Sequence, residues 1–299
     1  MGGRRGFVAL GDLFHAGERA DCWHIYERIA GDYLVYRLGI GQFTAIEVTP
    51  AEYVGVAAEA GFDRVSLLTI SPNPQMSLPL ITRDNVAGVK SALDSASVDV
   101  GNLECCMLTP HCDVEAFRPG ILLGRELGAT GVTAILFDGD ELRTEKNLRQ
   151  LCALARECGL RVSIEFMPMT PRWRTIGEAA ALIRSLGEPN LGLCIDLLHL
   201  IRSGGTPAEV AATSGELIHY AQLCDGADTI VTADYGVEAS SNRLAPGEGV
   251  FPIQDFLQAL PAGTLLEIEV PQPAERPALD RVKLIIEAAR RQLALAGLD

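Results

Sequence analysis

The chain has 299 residues, 48% of them hydrophobic and 21% charged, enough for one large core of the size that α/β barrels fill as a single domain. A net charge of −14 excludes nucleic acid as the main partner, because phosphate binding needs a basic footprint. No apolar run approaches the roughly 20 residues that span a bilayer, and the apolar stretch near the start is too short for a signal sequence, so no membrane partner and a cytoplasmic location are expected.

Residues 1–36 do not fit the repeat that follows. They read as an N-terminal extension with a helix around Asp21–Ile29, open to homo-oligomer contacts. From Arg37 the pattern is regular, with apolar strand candidates near 37–43, 64–69, 99–107, 131–137, 161–166, 191–196, 217–223 and 265–270. Helices separate most of them. Thr49-Pro50-Ala51-Glu52 supplies an N-cap, a proline in the first turn and an acid, and Gly61 ends that helix. Thr82-Arg-Asp-Asn opens the next, Asn147–Glu157 is helical by period, Thr175-Ile-Gly-Glu begins another that stops near Gly187, and the last runs from Pro277 to Ala296.

Eight strand–helix units favour closure, so residues 37–299 are expected to form a single (β/α)8 TIM barrel of the α/β class. A doubly wound open sheet is the alternative. It would show a glycine-rich phosphate turn, and Gly39-Ile-Gly41 followed by Gln-Phe-Thr does not qualify. The eight cysteines show no C-x-x-C spacing and read as buried, reduced thiols.

Four polar residues each close an apolar run: Glu165, Asp196, Gln222 and Glu269. On neighbouring barrel strands they converge at the C-terminal mouth, where barrel enzymes build their sites. Three carboxylates and an amide oxygen are hard donors suited to one divalent ion, Mn²⁺, Mg²⁺ or Co²⁺. An ion on two adjacent oxygens of a hydroxy-ketone acidifies the neighbouring C–H. Glu165 and Glu269, opposite in the mouth, are then the pair that removes and returns a proton. His111, in the loop after the third strand, lies on the same face and is a candidate substrate contact.

The segments Ser163-Ile-Glu165-Phe, Leu193-Cys-Ile-Asp196-Leu-Leu-His199, His219-Tyr-Ala-Gln222-Leu-Cys-Asp225, Arg243-Leu-Ala-Pro246-Gly247-Glu248-Gly249 and Glu267-Ile-Glu269-Val-Pro271 resemble the xylose-isomerase-like barrel superfamily over residues 37–290. That superfamily includes sugar and sugar-phosphate isomerases and epimerases, dehydratases of cyclic hydroxy-ketones, and endonucleases of abasic DNA. The resemblance implies that Glu165, Asp196 and Glu269 are metal ligands, that His199 faces substrate as general acid or hydroxyl anchor, and that Arg243 is a substrate-side arginine. Many isomerases and epimerases carry histidine three residues before the aspartate found here at 225. Glutamine at 222 resembles instead the dehydroshikimate-dehydratase-like branch, where an amide oxygen is the ligand.

The expected function is therefore a divalent-metal-dependent isomerase or epimerase of a small polyhydroxy ketone, a sugar or sugar phosphate. The alternatives are a dehydratase of a cyclic hydroxy-ketone and a non-catalytic ligand-binding barrel. Five histidines and the acidic charge argue against the endonuclease activity.

Overall fold

The computed structural model describes residues 36–72 and 77–298. Nearly all of the expected 1–36 extension, including the helix expected around Asp21–Ile29, lies outside the described residues. Eight strands are present: β1 (Leu38–Ile40), β2 (Arg64–Leu68), β3 (Asp99–Leu108), β4 (Gly131–Leu136), β5 (Arg161–Glu165), β6 (Leu191–Asp196), β7 (Ile218–Leu223) and β8 (Leu265–Ile268). Each pairs in parallel with the next, and β8 returns to β1 through Leu38 opposite Leu266, closing the barrel.

Helices fill the connections and bury their apolar stripes against the outward strand residues. Val132, Ala134, Val162, Ile164 and Ile195 belong to this one continuous core. The helix Pro50–Ala60 starts in a Thr49–Glu52 capping box and stops at Gly61, whose φ of 95° only glycine adopts without strain. The helix Ile176–Leu186 repeats the plan with Thr175, Glu178 and Gly187.

Two helix starts differ from the sequence expectation. The helix expected at Thr82 begins at Val86, because Asn85 turns its side chain back to the Thr82 amide and the Leu80 carbonyl. The helix expected from Asn147 begins six residues earlier, at Glu141, where Asp140 caps the Arg143 amide at 2.9 Å. Its first turns are polar because they are solvated, which hid them from an apolar-period reading.

Two irregularities aim side chains into the barrel. Between Leu103 and Cys106 β3 advances three residues while β4 advances two, from Val132 to Ala134. This bulge lets both Glu104 and Cys105 line the mouth cavity, which strict alternation forbids. In β7, Ile218 and Tyr220 oppose the consecutive residues Leu193 and Cys194, so His219 is the extra residue. Tyr220 and Gln222 consequently face inward at the mouth, and His219 meets Ser163 Oγ at 3.1 Å. Burial depresses the His219 imidazole to about 3, as for a neutral side chain packed in the strand.

Among the described residues no helix is long and apolar enough to cross a membrane. The seven described cysteines are free thiols, six of them buried.

Candidate metal centre at the barrel mouth

Glu165 closes β5, Asp196 closes β6, Gln222 lies near the end of β7, and Glu269 directly follows β8. All four are buried. Asp196 sits opposite Gln222 in the ladder. It also caps the helix Leu197–Arg202, where its Oδ1 accepts from the His199 amide at 2.9 Å. The cap fixes His199 on the first turn, with Nε2 3.0 Å from Glu165 Oε1 and Nδ1 3.6 Å from Asp196 Oδ1. Donor atoms of Glu165, Asp196 and His199 all lie within 4.8 Å of one another.

Tyr235 completes the histidine's setting, its hydroxyl 2.5 Å from Nδ1. Burial, with Asp196 nearby, keeps the phenol protonated far above its ordinary range. A protonated phenol can donate to Nδ1, and in that tautomer Nε2 carries the hydrogen that points at Glu165.

Arg243, expected on the substrate side, reaches the carboxylates themselves. Its Nη1 donates to Asp196 Oδ2 at 2.5 Å, and its Nη2 lies 3.0 Å from Glu269 Oε2. Burial opposes ionisation of Asp196, yet Arg243 and then His199 outweigh it and hold the carboxyl below its ordinary value. Glu269 goes the other way. Burial dominates there, Arg243 opposes it, and the fields of Glu165 and Asp196 push its pKa well up.

Sequence reasoning missed a second layer. Glu267 sits one alternation below Glu269, on the same inward face, and accepts from Gln222 Nε2 at 2.9 Å and from Ser66 Oγ. That bond orients the amide so that Gln222 Oε1 is the end left to accept, here from Cys194 Sγ at 3.2 Å. Burial raises Glu267 to about 7, although Ser66 and Gln222 favour its charge. The spacing Glu267-x-Glu269 in a strand was the available signal.

Glu104 had none, because the β3 bulge sets its direction. Neither of its oxygens closes a hydrogen bond of normal geometry. Burial and the fields of Glu267, Glu269 and Glu165 push it far up, with the Gln42 amide opposing. A Cβ at Gly41 would stand 2.8 Å from Glu104 Oε1, 3.2 Å from Glu269 Oε1 and 3.3 Å from Glu267 Oε1, so a glycine there leaves room for three carboxylates.

His111 is exposed in the turn after β3 and is not among the residues lining the cavity. Asp138 and Asp140 serve the Glu141–Glu157 helix, Asp138 by pairing with Arg143. Asp225 accepts from the amides of Gly226, Gly247, Gly249 and Phe251, pinning the Pro246-Gly-Glu-Gly turn, while Glu248 accepts from the Ala245 amide within it.

Glu104, Glu165, Asp196, Glu267 and Glu269 are five buried carboxylates in one mouth, and Arg243 bridges only two of them. Gathering that much like charge out of water costs several kcal/mol per unpaired ion, so the donor set fits a divalent cation. Glu165, Asp196, Gln222 and Glu269 supply hard oxygens, and His199 lies beside them.

Residues 54–291 match the family described as the xylose isomerase-like TIM barrel. The chain belongs to that family. Among curated relatives, the xylose isomerase-like chain is 31% identical over 129 residues to a 3-dehydroshikimate dehydratase of Pseudomonas aeruginosa. The match covers 43% of this chain and 19% of the length of that protein. Among solved structures, IolI protein with a binding zinc atom superposes with a TM-score of 0.72 at 16% identity, covering 87% of this chain and 99% of that one. L-ribulose 3-epimerase superposes with a TM-score of 0.67 at 16% identity, covering 88% and 96%. At such identities these likenesses show the fold.

Proposed function

We propose that this xylose isomerase-like barrel is a divalent-metal-dependent isomerase or epimerase, which moves the proton beside the carbonyl of a small hydroxy-ketone. One observation carries the reading. Glu165 and Glu269 enter the mouth from β5 and from the end of β8, on either side of Asp196 and Gln222 in the strand order. Glu165, Asp196, Gln222 and Glu269 would hold the ion, Mn²⁺ or Mg²⁺ by the hardness of the set. When bound it supplies Lewis-acid polarisation of the carbonyl. Glu165, with His199 Nε2 at 3.0 Å, takes the proton on one side of the substrate, and Glu269 serves the other. The zinc atom of IolI and the epimerase of the same fold support a metal-dependent reading of the site.

A second reading, dehydration of a cyclic hydroxy-ketone, is favoured by Gln222 in the ligand set and by the dehydratase relative. It is also favoured by the Tyr235–His199 pair, which is placed to deliver a proton to a departing hydroxyl. The test is incubation of the Mn²⁺-loaded protein in D₂O with a ketose panel and with dehydroshikimate. Deuterium incorporation with altered stereochemistry supports the isomerase, and a new conjugated chromophore supports the lyase. Glu165→Gln and Glu269→Gln should each abolish turnover in folded protein. Full activity in both variants would refute the proton-transfer pair, and no exchange with any ketone would leave a binding barrel.

A further inference from the structure

The mouth cavity, about 660 Å³, has two unlike ends. One holds the acids and Arg243. The other is built by the inward residues at the tops of β3, β4 and β5: Met107, Ile135, Phe137, Met167 and, at the rim, Met169. Cys105, Ile135 and Met167 form an apolar cluster of their own, separate from the main core, with Met107 and Phe137 packed on it. This wall therefore faces the cavity and not the helices. Met169 is 51% exposed, a thioether left in water at the rim. Phe43, from the segment after β1, lines the cavity as well.

The polar groups of this cavity are largely committed, Glu104 with its two unpartnered oxygens being the exception. Among the described lining residues the arginine is Arg243, which contacts two carboxylates, and the His199 imidazole lies against Glu165. The Thr133 hydroxyl is taken by Tyr220 at 2.7 Å. A phosphate ester would meet a surplus of carboxylates and no uncommitted cation. A polyol chain would set most of its hydroxyls against thioethers and a phenyl ring on this wall, with only the unpartnered Glu104 oxygens, on the acid side, left to receive any of them.

We infer that the substrate is a ketol whose remainder, beyond the two oxygens facing the acids, is apolar: an aromatic ring or a branched alkyl group. This deepens the proposed function and rests on it. Methionine thioethers and Phe137 match such a group, because sulfur packs favourably on aromatic edges and unbranched chains adapt to its outline. The class departs from the sugar or sugar phosphate that the sequence suggested.

The test compares 1-hydroxy-3-phenylpropan-2-one with D-ribulose and D-ribulose 5-phosphate on the full-length, Mn²⁺-loaded protein, by calorimetric affinity and by deuterium incorporation. The phenyl ketol should bind at least ~10-fold tighter than either sugar, a difference of about 1.4 kcal/mol. Phe137→Ser and, separately, Met167→Gln should weaken the phenyl ketol more than ribulose. Equal or tighter binding of ribulose or its phosphate, or no binding of the phenyl ketol, overturns the inference. Tight phenyl ketol binding without deuterium exchange would uphold the apolar class and refute enolisation. Exchange with a preference for the sugars would do the reverse.

Discussion

Replacing Glu267 by glutamine should make the metal-free protein more stable at alkaline pH and less stable in acid. Burial raises this carboxyl from 4.5 to about 7. Between those values the native state keeps a proton that the unfolded chain releases, so stability is full below pH 4.5 and falls as pH rises through 7. At about 1.4 kcal/mol per unit, the ionised side chain costs the fold about 3 kcal/mol above pH 7. Glutamine removes that cost, but its NH2, unlike either oxygen of the acid, cannot accept from Ser66, a loss of about 1 kcal/mol at every pH. The Glu267→Gln protein should therefore be about 2 kcal/mol more stable than the parent at alkaline pH and about 1 kcal/mol less stable in acid. Urea unfolding with a chelator present, repeated from acid to alkaline pH, reads the difference directly. A gap of the same sign and size at every pH would show that Glu267 does not carry a raised pKa, and the electrostatic account of the mouth would fall with it.

Arg243→Gln leaves Asp196 and Glu269 buried without their shared guanidinium. Loss of one partner from a buried ion pair costs about 3–5 kcal/mol, and calorimetry of the metal-free protein should show Tm lower by on the order of 10 °C, with part recovered by added Mn²⁺. An unchanged Tm would mean that the bridge contributes nothing. Tyr235→Phe removes the hydroxyl bonded to His199 Nδ1, so kcat/KM should fall on the order of 10-fold or more and its pH profile should move, while stability drops by only about 1 kcal/mol. An unaltered pH profile would reduce Tyr235 to packing. Gly41→Ala adds a methyl group among three carboxylate oxygens. Because Glu104 is flexible at its far end, the fold should survive with a loss of about 1–3 kcal/mol, while turnover falls as Glu269 is displaced. Wild-type turnover would show that the crowding is relieved elsewhere.

The barrel was legible because each strand is buried on both sides and reads as a short apolar run between helix caps, as in Leu191-Gly-Leu-Cys-Ile-Asp196. The rim donors were legible for the same reason: a polar residue that ends such a run stands out. What escaped notice depends on geometry that alternation does not encode. The β3 bulge turns Glu104 inward, and the loop carrying Arg243 folds back over Asp196 from 47 positions away. The short helix Leu197–Arg202 was hidden because Leu-Leu directly after Asp196 continues the apolar run of the strand. His111 looked like a rim residue by its place after β3, but the turn carries it into solvent.

The Asp225 clamp bears on how the site admits a ligand. Asp225 and Leu244 exchange backbone hydrogen bonds, and the Arg243 amide is tied to the Pro271 carbonyl. The backbone of Arg243 is thus sewn to the ends of both β7 and β8. An incoming cation that competes for Asp196 and Glu269 meets a buried guanidinium on a fixed base, its Nε donating to the Ala239 carbonyl at 2.8 Å. Exchange of one positive charge for another then has to break the bonds of a single side chain to Asp196, Glu269 and Ala239, with the surrounding rim already in place.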